Sequence, residues 1–547
     1  MRTAIADCRL QIADRRCEAG RPNRRSAICN LQSAIAAVLL VCSGSVAHAQ
    51  DGGATIDSVI IHQRNVFDPG EAAGNVLFSL SNAFHIRTQR YVIGQELLFD
   101  RGDPYDSLVL AETERNLRAL GLFRDVDIDT VRSDGRLHAV VDVADAWTTT
   151  LQADGRSTGD QLTWGIGVKE KNILGTGTLF RAKFRHEVDR NSFTLEASQH
   201  RLLGTRAGFF WRWDNLSDGT KGVFGGGAPF RAFADRRAVE LDGEWASQRV
   251  LRFRDGALDE EFFRRLFRVN LRAAAAPVAS ERGYARLRLD AQLKREEYLA
   301  LTDTGLAVPD TVTFAVGLTA SLARARFLVT HYYLAFARDV DVDLSIRVTA
   351  GVWLAPSAFG YGRTGIGPTL DVQVGAALGR QFVRVEGHAN GLFTGAGLDS
   401  GQVRAIVTAV SQILPQQATV LRIEAGARSG TPPAEEFDVG FDRGLRRFPA
   451  HAFTGDRELW GTIEQRVFLV DAFLRLFGLG VAGFVDYGSA WYRGEEPRTG
   501  GSVGLGLRLS SIRAGDVTMG RLDVAYRFGD GFGDKRWVFS FGRNVTF

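Results

Sequence analysis

The sequence predicts a mainly β protein: a transmembrane antiparallel β-barrel of about 16 strands, preceded by one small α/β domain. Three observations lead to this expectation. The chain starts with an export signal, apolar and polar residues alternate from residue 148 onwards, and the last alternating segment ends on a phenylalanine. These features divide the 547 residues into a signal peptide (1–49), an α/β domain (54–147) and a barrel (148–547).

Residues 1–49 carry the features of a secretory signal peptide. Three arginines between positions 21 and 25 precede the apolar stretch 34–41, and Ala47-His48-Ala49 places small residues before a cleavage site. A basic flank, a short apolar stretch and an A-x-A end are typical of export, and the stretch is too short to span a bilayer. We therefore expect the mature chain to begin after Ala49.

Composition excludes several classes of protein. The net charge is +4, but residues 1–49 hold seven arginines and three acidic residues, so the mature chain is formally neutral. Nucleic acid is therefore not an expected partner, because its binding needs a basic surface. All four cysteines, at positions 8, 17, 29 and 42, lie in the signal peptide, which excludes disulfides and cysteine-ligated metals from the mature chain. No apolar run of about 18 residues follows residue 50, which excludes a helical membrane protein.

Residues 54–147 are expected to fold in the order β-α-α-β-β. Segments 55–61, 126–129 and 137–143 have the composition and alternation of strands. Thr88 is expected to cap the first helix, and Asp106 or Ser107 to cap the second.

The second half of this domain resembles a POTRA domain. In that family a Gly-Asp-x-Tyr/Phe turn precedes a helix that ends in Leu-x-x-x-Gly-x-Phe. The matching residues are Gly102, Asp103 and Tyr105 in the turn, and Leu117, Gly121 and Phe123 at the helix end. The match is looser over Phe67–Thr88, where an insertion is an open alternative. The resemblance implies a periplasmic domain that can pair its sheet edge with client chains through backbone hydrogen bonds.

The alternation from residue 148 to the end favours a barrel. In the segment 179–185, Arg181, Lys183 and Arg185 point to one side and apolar residues to the other. A soluble sandwich would also alternate, but an exported chain of this length favours a membrane barrel, which satisfies its backbone by closing on itself. Longer outer loops are expected near 213–234, 249–264, 300–312, 425–458 and 491–501.

The C-terminal segment resembles the β-signal of outer-membrane barrels. That signal is a polar residue, a glycine and hydrophobic residues before a terminal aromatic. Here Ser540 precedes Gly542, Val545 and Phe547 at that spacing. The alternative is an ordinary edge strand that ends in phenylalanine.

Three further stretches resemble the BamA/TamA assembly-factor superfamily. Asn172-Ile173-Leu174-Gly175-Thr176-Gly177 is similar to the family's turn after the first barrel strand. Leu445-Arg446-Arg447-Phe448 is similar to the Val-Arg-Gly-Phe/Tyr motif of the sixth outer loop, with Arg447 in place of the glycine. Segments 463–466 and 483–491 are similar to the next two strands.

The resemblance implies that this outer loop folds into the barrel and that Arg446, followed by Phe448, pairs with Glu464 and Asp486. Both acids have the parity of the lumen face, and one guanidinium can bridge two carboxylates. Arg447 is a competitor for the same acids. The alternative is a set of unrelated lumen charges.

No enzyme motif stands in a suitable context. G-x-S-x-G occurs at 155–159 and at 500–504, but both are expected to be Gly/Ser turns and not nucleophile elbows. The sequence contains neither H-E-x-x-H nor a P-loop. We expect no catalytic residues, no metal and no cofactor.

The resemblance implies a non-enzymatic factor that inserts or translocates proteins at the bacterial outer membrane. Clients would enter through the POTRA-like domain and a seam between the first barrel strand, near Leu162–Lys169, and the last, Trp537–Phe547. The expected partners are the lipid bilayer, unfolded outer-membrane or exported proteins, and periplasmic accessory proteins. The alternatives are a secretion pore for one dedicated partner and a passive porin or surface adhesin.

Overall fold

The computed structural model describes residues 54–547 except 159–160, 303–310, 337, 361, 431, 434, 442, 516–518 and 544–547. The predicted signal peptide, and Val545 and Phe547 of the predicted β-signal, lie outside the described residues. The α/β domain and the barrel belong to one unit.

The α/β domain consists of three strands and four helices. In chain order they are β1 (Ile56–Arg64), α1 (Pro69–Ala73), α2 (Val76–Phe84), α3 (Arg90–Gly94), α4 (Ser107–Ala119), β2 (Phe123–Ser133) and β3 (Arg136–Asp145). The central strand β3 is parallel to β1 and antiparallel to β2. The two helices α1 and α2 fall in the segment 67–88, where the resemblance to POTRA domains is loosest.

The predicted N-terminal cap is present at one helix and absent at another. The Asp106 carboxylate accepts a hydrogen bond from the amide of Leu108 at 2.7 Å and caps α4, as predicted. The predicted cap Thr88 is wrong, because Gln89 occupies the N-cap of α3. Thr88 instead donates its amide to the buried Asp145 carboxylate at 2.9 Å.

The barrel strands follow, with two short hairpins between them. The first ten are β4 (Thr149–Thr158), β5 (Gln161–Ile173), β6 (Thr178–His186), β7 (Asn191–Gln199), β8 (Gly208–Leu216), β9 (Gly219–Ala228), β10 (Arg237–Arg254), β11 (Ala257–Ser280), β12 (Gly283–Ala300) and β13 (Thr311–Arg324). The hairpin β14 (Phe327–Thr330) and β15 (Val340–Asp343) precedes β16 (Ile346–Ala355), β17 (Gly365–Leu378), β18 (Gln381–Thr394), β19 (Gly397–Ser411) and β20 (Gln417–Ser429). The hairpin β21 (Phe437–Val439) and β22 (Phe453–Gly455) precedes β23 (Arg457–Phe473), β24 (Phe477–Trp491), β25 (Gly500–Ser511), β26 (Met519–Gly529) and β27 (Trp537–Arg543).

The barrel closes with 20 strands in the described chain, so the predicted 16 is wrong. The reason lies in the connections. The predicted loops near 213–234 and 249–264 are strand pairs joined by two-residue turns, Ser217-Asp218 and Asp255-Gly256. The predicted loops 425–458 and 491–501 do contain long connections, whereas 303–310 lies outside the described residues.

The first barrel strand is β4, and Leu162–Lys169 belongs to the second strand, so the predicted first strand is wrong. The apolar positions of β4 are small or threonine apart from Leu151, which weakens its alternation. The two predicted Gly/Ser turns are also wrong where described, since residues 155–158 lie in β4 and 500–504 in β25.

The alternation sorts the strand side chains to two faces. On β23 the even-numbered residues from Glu458 to Phe468 are buried, and Leu459 and Ile463 between them are 52% and 45% exposed. Outward apolar residues recur around the barrel, as membrane barrels require. Because strands alternate in direction, the connections form two rims. We call the rim beside the α/β domain the near end and the opposite rim the far end.

Candidate functional site

The far-end loop, residues 430–456 between β20 and β23, is tied down by an apolar cluster. Its members are Phe437, Val439, Leu445, Phe448, Ala452, Phe453, Trp460 and Ala490. Phe448 is fully buried. A Cβ on Gly500 would lie 2.6 Å from the Phe448 ring, so glycine on this wall strand leaves the space that Phe448 occupies.

The predicted residues Arg446, Glu464 and Asp486 are brought together beneath this cluster. Arg446 donates to Asp486 at 3.2 Å, to Glu464 at 3.4 Å and to the Thr462 hydroxyl at 3.3 Å. Both acids have no exposed side-chain surface. The loop guanidinium therefore contacts two buried wall carboxylates.

Arg447, at the family's glycine position, makes the shorter contacts. Its guanidinium pairs with Asp486 and reaches Asp523 at 2.5 Å, and it lies 3.4 Å from the centroid of the Phe484 ring. The side chain has no exposed surface. Arg446 and Arg447 thus share Asp486, and Arg447 adds a third acid, Asp523, which sequence reasoning did not single out.

Three wall arginines complete this group. Arg508 contacts Asp523 at 2.6 Å and Glu464 at 3.1 Å, and Arg466 contacts Glu464 at 2.8 Å. Arg521 lies 3.4 Å from Asp523. We call the eight residues the lumen cluster: Arg446, Arg447, Glu464, Arg466, Asp486, Arg508, Arg521 and Asp523. The period of two places these wall residues on the inner face, and this signal could have identified them as candidates.

Glycines on β25 make room for the lumen cluster. The inward positions of this strand are Gly500, Ser502, Gly504, Gly506, Arg508 and Ser510. A Cβ on Gly504 would lie 2.5 Å from the Phe484 ring, and one on Gly506 would collide with the Asp523 carboxylate. Small residues on one wall strand therefore leave space for the Phe484 ring and the Asp523 carboxylate, both of which Arg447 contacts.

A second loop arginine site was also missed from the sequence. Arg443 pairs with the wall acids Glu424 and Glu458, the latter at 2.6 Å. Both acids are buried. The far-end loop is therefore held by three arginines, Arg443, Arg446 and Arg447, against wall acids of β20, β23, β24 and β26.

A second segment enters the barrel from the near end. Residues 325–345, which include β14 and β15, connect β13 to β16 at this rim. Tyr333 and Phe336 are buried against inward residues, and the Phe336 ring stacks edge-on against Phe468 at 4.8 Å and lies over Gly478. We call residues 325–345 the near-end hairpin.

The near-end hairpin also binds the α/β domain. Arg118 of α4 makes a two-point contact with the Asp341 carboxylate, both N–O distances being 2.7 Å. Arg338 donates to the carbonyl of Phe123 at 2.8 Å and to that of Ala514 at 2.6 Å. The hairpin thus lies where the domain meets the lumen.

The predicted turn Asn172–Gly177 joins β5 to β6 and docks the α/β domain. The Asn172 side chain donates to Thr88 at 2.9 Å and accepts from the amide of Gly177 at 2.8 Å. The carbonyl of Gly175 accepts from the amide of Gln89 at 2.8 Å. Gly175 has a φ of +76°, and a Cβ there would lie 2.5 Å from the Arg87 carbonyl oxygen. Both the backbone conformation and the close contact therefore require glycine.

The predicted POTRA residues shape the domain itself. Leu117 and Phe123 lie in its apolar core. Gly102 and Gly121 have positive φ of +96° and +63° at the two ends of the α4 region. The carbonyl of Asp103 accepts from the amide of Ile56 at 2.9 Å. Tyr105 is 40% exposed.

The seam is the line where β27 lies beside β4. In its described part β27 has seven residues and is the shortest strand of the barrel. A Cβ on Gly155 would lie 2.5 Å from the Phe541 ring, so Phe541 covers the glycine across the seam. Gly542 follows Phe541 in β27.

The α/β domain contacts turns on both sides of the seam. On one side it binds the Asn172–Gly177 turn. On the other, Arg513 of the β25–β26 turn donates to Glu71 at 2.7 Å and to the Val66 carbonyl at 3.3 Å. The two docking sites of this domain therefore lie on opposite sides of the seam.

A histidine connects the far-end loop to the β6–β7 turn. His451 lies 2.7 Å from Asp438 and 3.0 Å from Asp189, and its ring stacks on Phe253 at 3.5 Å. Burial lowers the pKa of His451, but its hydrogen bonds to Asp189 and Asp438 and their charges outweigh burial and raise the pKa to about 9. The ring is therefore charged at neutral pH.

The described residues contain neither a metal-binding cluster nor a membrane-spanning helix. In the described parts of residues 54–547, no cluster of three or more histidine, cysteine or acidic side chains is placed to bind a metal. Over the same residues, every helix is too short or too polar to cross a bilayer.

No protein-family model matches the chain, and no curated protein matches it. Similar solved structures include CdiB from Escherichia coli, with 10% identity, 95% of this chain and 98% of that chain covered and a TM-score of 0.45. CdiB from Acinetobacter baumannii has 12% identity, coverages of 90% and 74%, and a TM-score of 0.42. BamA from Haemophilus ducreyi lacking POTRA domains 1-3 has 11% identity, coverages of 96% and 95%, and a TM-score of 0.39. One of these similar structures is thus a BamA, the protein whose family the motifs resemble.

Proposed function

We propose that this chain is an outer-membrane protein assembly or translocation factor of the BamA/TamA type, with its α/β domain a POTRA domain in the periplasm. The observation that carries the proposal is the docking of this domain on both sides of the seam. A domain that receives a client strand there can pass it to the opened edges of β27 and β4. A client strand would then satisfy its backbone groups without exposing them to hydrocarbon.

The filled lumen argues against a passive porin. The far-end loop occupies the barrel from one side through Arg443, Arg446 and Arg447, and the near-end hairpin from the other through Tyr333 and Phe336. A porin needs a permanently open channel. The α/β domain docked at the near end also has no use in a porin.

A secretion pore for one dedicated partner is the second candidate. The near-end hairpin and the far-end loop are discrete segments, and their displacement would clear a path along the lumen. In this case the client would pass between the loop and the wall, and the seam would stay closed.

Two crosslinks separate these candidates, since the mature chain contains no cysteine. Cysteines at Gly155 and Phe541, joined by a short thiol crosslinker, would lock the seam. Cysteines at Phe448 and Gly500 would lock the far-end loop to the wall. Each locked protein is produced in cells depleted of the native protein, and outer-membrane and surface proteins are then profiled.

We expect the seam lock to cause the same losses of outer-membrane and surface proteins as depletion does. When the crosslinker is cleavable, a reducing agent should open the lock and reverse these losses. The matched controls are the single-cysteine variants treated with the same reagent. If the loop lock alone blocks export of one protein, the chain is a secretion pore. If neither lock nor depletion changes any other protein, the proposed function is wrong.

A further inference from the structure

The helix α2 carries its large apolar residues on the outside. Val76, Leu77, Leu80 and Phe84 are 75%, 71%, 47% and 78% exposed, and Ile86 just after the helix is 55% exposed. Isolated exposed apolar residues are common, but five within eleven positions form a patch.

The spacing places these helical residues on one side. Positions 76, 77, 80 and 84 fall within an arc of about 100° at 3.6 residues per turn. The opposite side is anchored in the protein. Phe78 stacks on Phe67 with centroids 4.1 Å apart, and the Asn82 side chain binds the amide and the carbonyl of Phe67 at 3.1 and 2.8 Å. Because Phe78 and Asn82 fix one side of α2 against Phe67, the apolar residues on the other side of the helix point away from the protein.

The helix lies at the near-end rim of the barrel. Phe78 belongs to an apolar cluster with Val66 and Phe67, against which Trp147 and Leu476 pack. Leu476 lies in the β23–β24 turn, where Leu474 is 67% exposed. Above this turn, outward Leu469 is 58% exposed. The apolar outer surface of the barrel and the apolar side of α2 thus meet at the same rim.

Charge also fits a membrane surface. Residues 75–84 contain no charged side chain, and Arg87 and Arg90 follow directly. An uncharged apolar helix side followed by arginines fits a helix that lies in the headgroup region of a bilayer.

We propose that α2 lies on the bilayer and inserts Val76, Leu77, Leu80 and Phe84 into the leaflet at the near end. The bound partner is phospholipid, contacted by the apolar residues and, at the headgroups, by Arg87 and Arg90. This proposal needs the barrel to span a membrane, but it does not depend on whether clients are inserted or secreted. The helix would anchor the α/β domain beside the seam.

The test uses the chain from residue 50 onwards, which contains no cysteine, in vesicles of phosphatidylethanolamine and phosphatidylglycerol, half of them prepared with brominated acyl chains. An environment-sensitive fluorophore is attached to a cysteine at Leu80. The matched control is the same probe at Val131, an exposed apolar residue on β2 of the same domain, near the β2–β3 turn. A probe at Leu505, a 72% exposed outward residue of β25, reports insertion of the barrel.

We expect blue-shifted emission and loss of fluorescence in brominated vesicles at positions 80 and 505, and neither effect at 131. Loss at 505 without loss at 80 overturns the proposal and leaves the barrel in the membrane. Protection of position 80 from aqueous iodide without quenching by brominated lipid also overturns it, because the helix then binds a protein or a second copy. In the double variant Leu77→Asp, Leu80→Asp, the probe at position 505 should still be quenched, because the barrel remains inserted. The α/β domain of this variant should be more sensitive to protease.

Discussion

Arg466 of β23 donates a hydrogen bond to the carbonyl oxygen of Tyr333 at 2.5 Å, while its Nε atom lies 2.8 Å from Glu464. Glu464 also contacts Arg446 of the far-end loop. The two segments that fill the lumen from opposite ends are therefore joined through one wall arginine and one wall acid. Displacement of either segment alters contacts of the other.

Arg447 is expected to contribute more to the folded barrel than Arg446. Arg447→Ala removes two carboxylate contacts and leaves Asp486 and Asp523 with fewer partners, and breaking a buried ion pair costs about 3–5 kcal/mol. The temperature at which the barrel loses heat-modifiable migration on a gel should fall. Arg447→Lys should rescue poorly, because an ammonium cannot bridge two carboxylates in one plane. Arg363→Ala, at an exposed far-end position, is the control and should change nothing.

The near-end hairpin is expected to limit ion flow. Phe336→Ala removes a buried ring from the contact with Phe468 and Gly478, a change that typically costs about 3–5 kcal/mol. Conductance of the reconstituted protein in planar bilayers should increase. Phe359→Ala, at a 55% exposed far-end position, is the matched control. Equal conductance of both variants and the wild type would show that the hairpin does not close the channel.

Gly175→Val should detach the α/β domain from the barrel. The new side chain would collide with the Arg87 carbonyl oxygen and would also require a positive φ. Gly204→Val is a close control, because Gly204 has nearly the same φ of +75° but nothing within 4 Å of its added Cβ. Limited proteolysis between residues 145 and 149 should accelerate for the first variant only. Similar cleavage of both would indicate backbone strain and not loss of docking.

The contact of His451 with Asp189 is expected to weaken at alkaline pH. The ordinary pKa of histidine is 6.5 and the folded value is about 9, so protonated His451 contributes stability that is complete below about pH 6.5 and is lost as pH rises through about 9. A spin label at Ala450 should gain mobility between pH 7 and pH 10. His451→Gln should remove this pH dependence, and a wild-type label that stays immobile at pH 10 would contradict the assignment.

Deleting Phe547 should lower the amount of barrel in the outer membrane, if the C-terminal segment acts as a β-signal. The terminal aromatic would be recognised by the cell's assembly machinery during insertion. The measurement is the amount of heat-modifiable protein in the membrane fraction. Phe541→Leu, which keeps the C-terminus and changes a seam residue, is the comparison. Unchanged levels after the deletion would show that the motif is incidental.

Much of the candidate site can be predicted from one feature of the sequence, the alternation of apolar and polar residues with a period of two. It places Glu464 and Asp486 on the inner face, and it places Asp523, Arg508 and Arg521 there equally well. The period does not indicate which inner residues contact each other across the barrel. Arg447 and Asp523 are 76 positions apart, and only the closed barrel brings them to 2.5 Å.

The sequence by itself determined the class of fold, the inner face of residues such as Glu464 and Asp486, and local features such as the Asp106 cap, because these depend on alternation and on neighbours within a few positions. The tertiary structure decided the count of 20 strands, the identity of β4 as the first, and the insertion of the near-end hairpin. Strand ends and closure depend on pairing between distant segments, and a two-residue turn such as Asp255-Gly256 differs little in composition from part of a long loop. Burial of Arg447 was decided in the same way, since its two carboxylate partners, Asp486 and Asp523, lie on the distant strands β24 and β26.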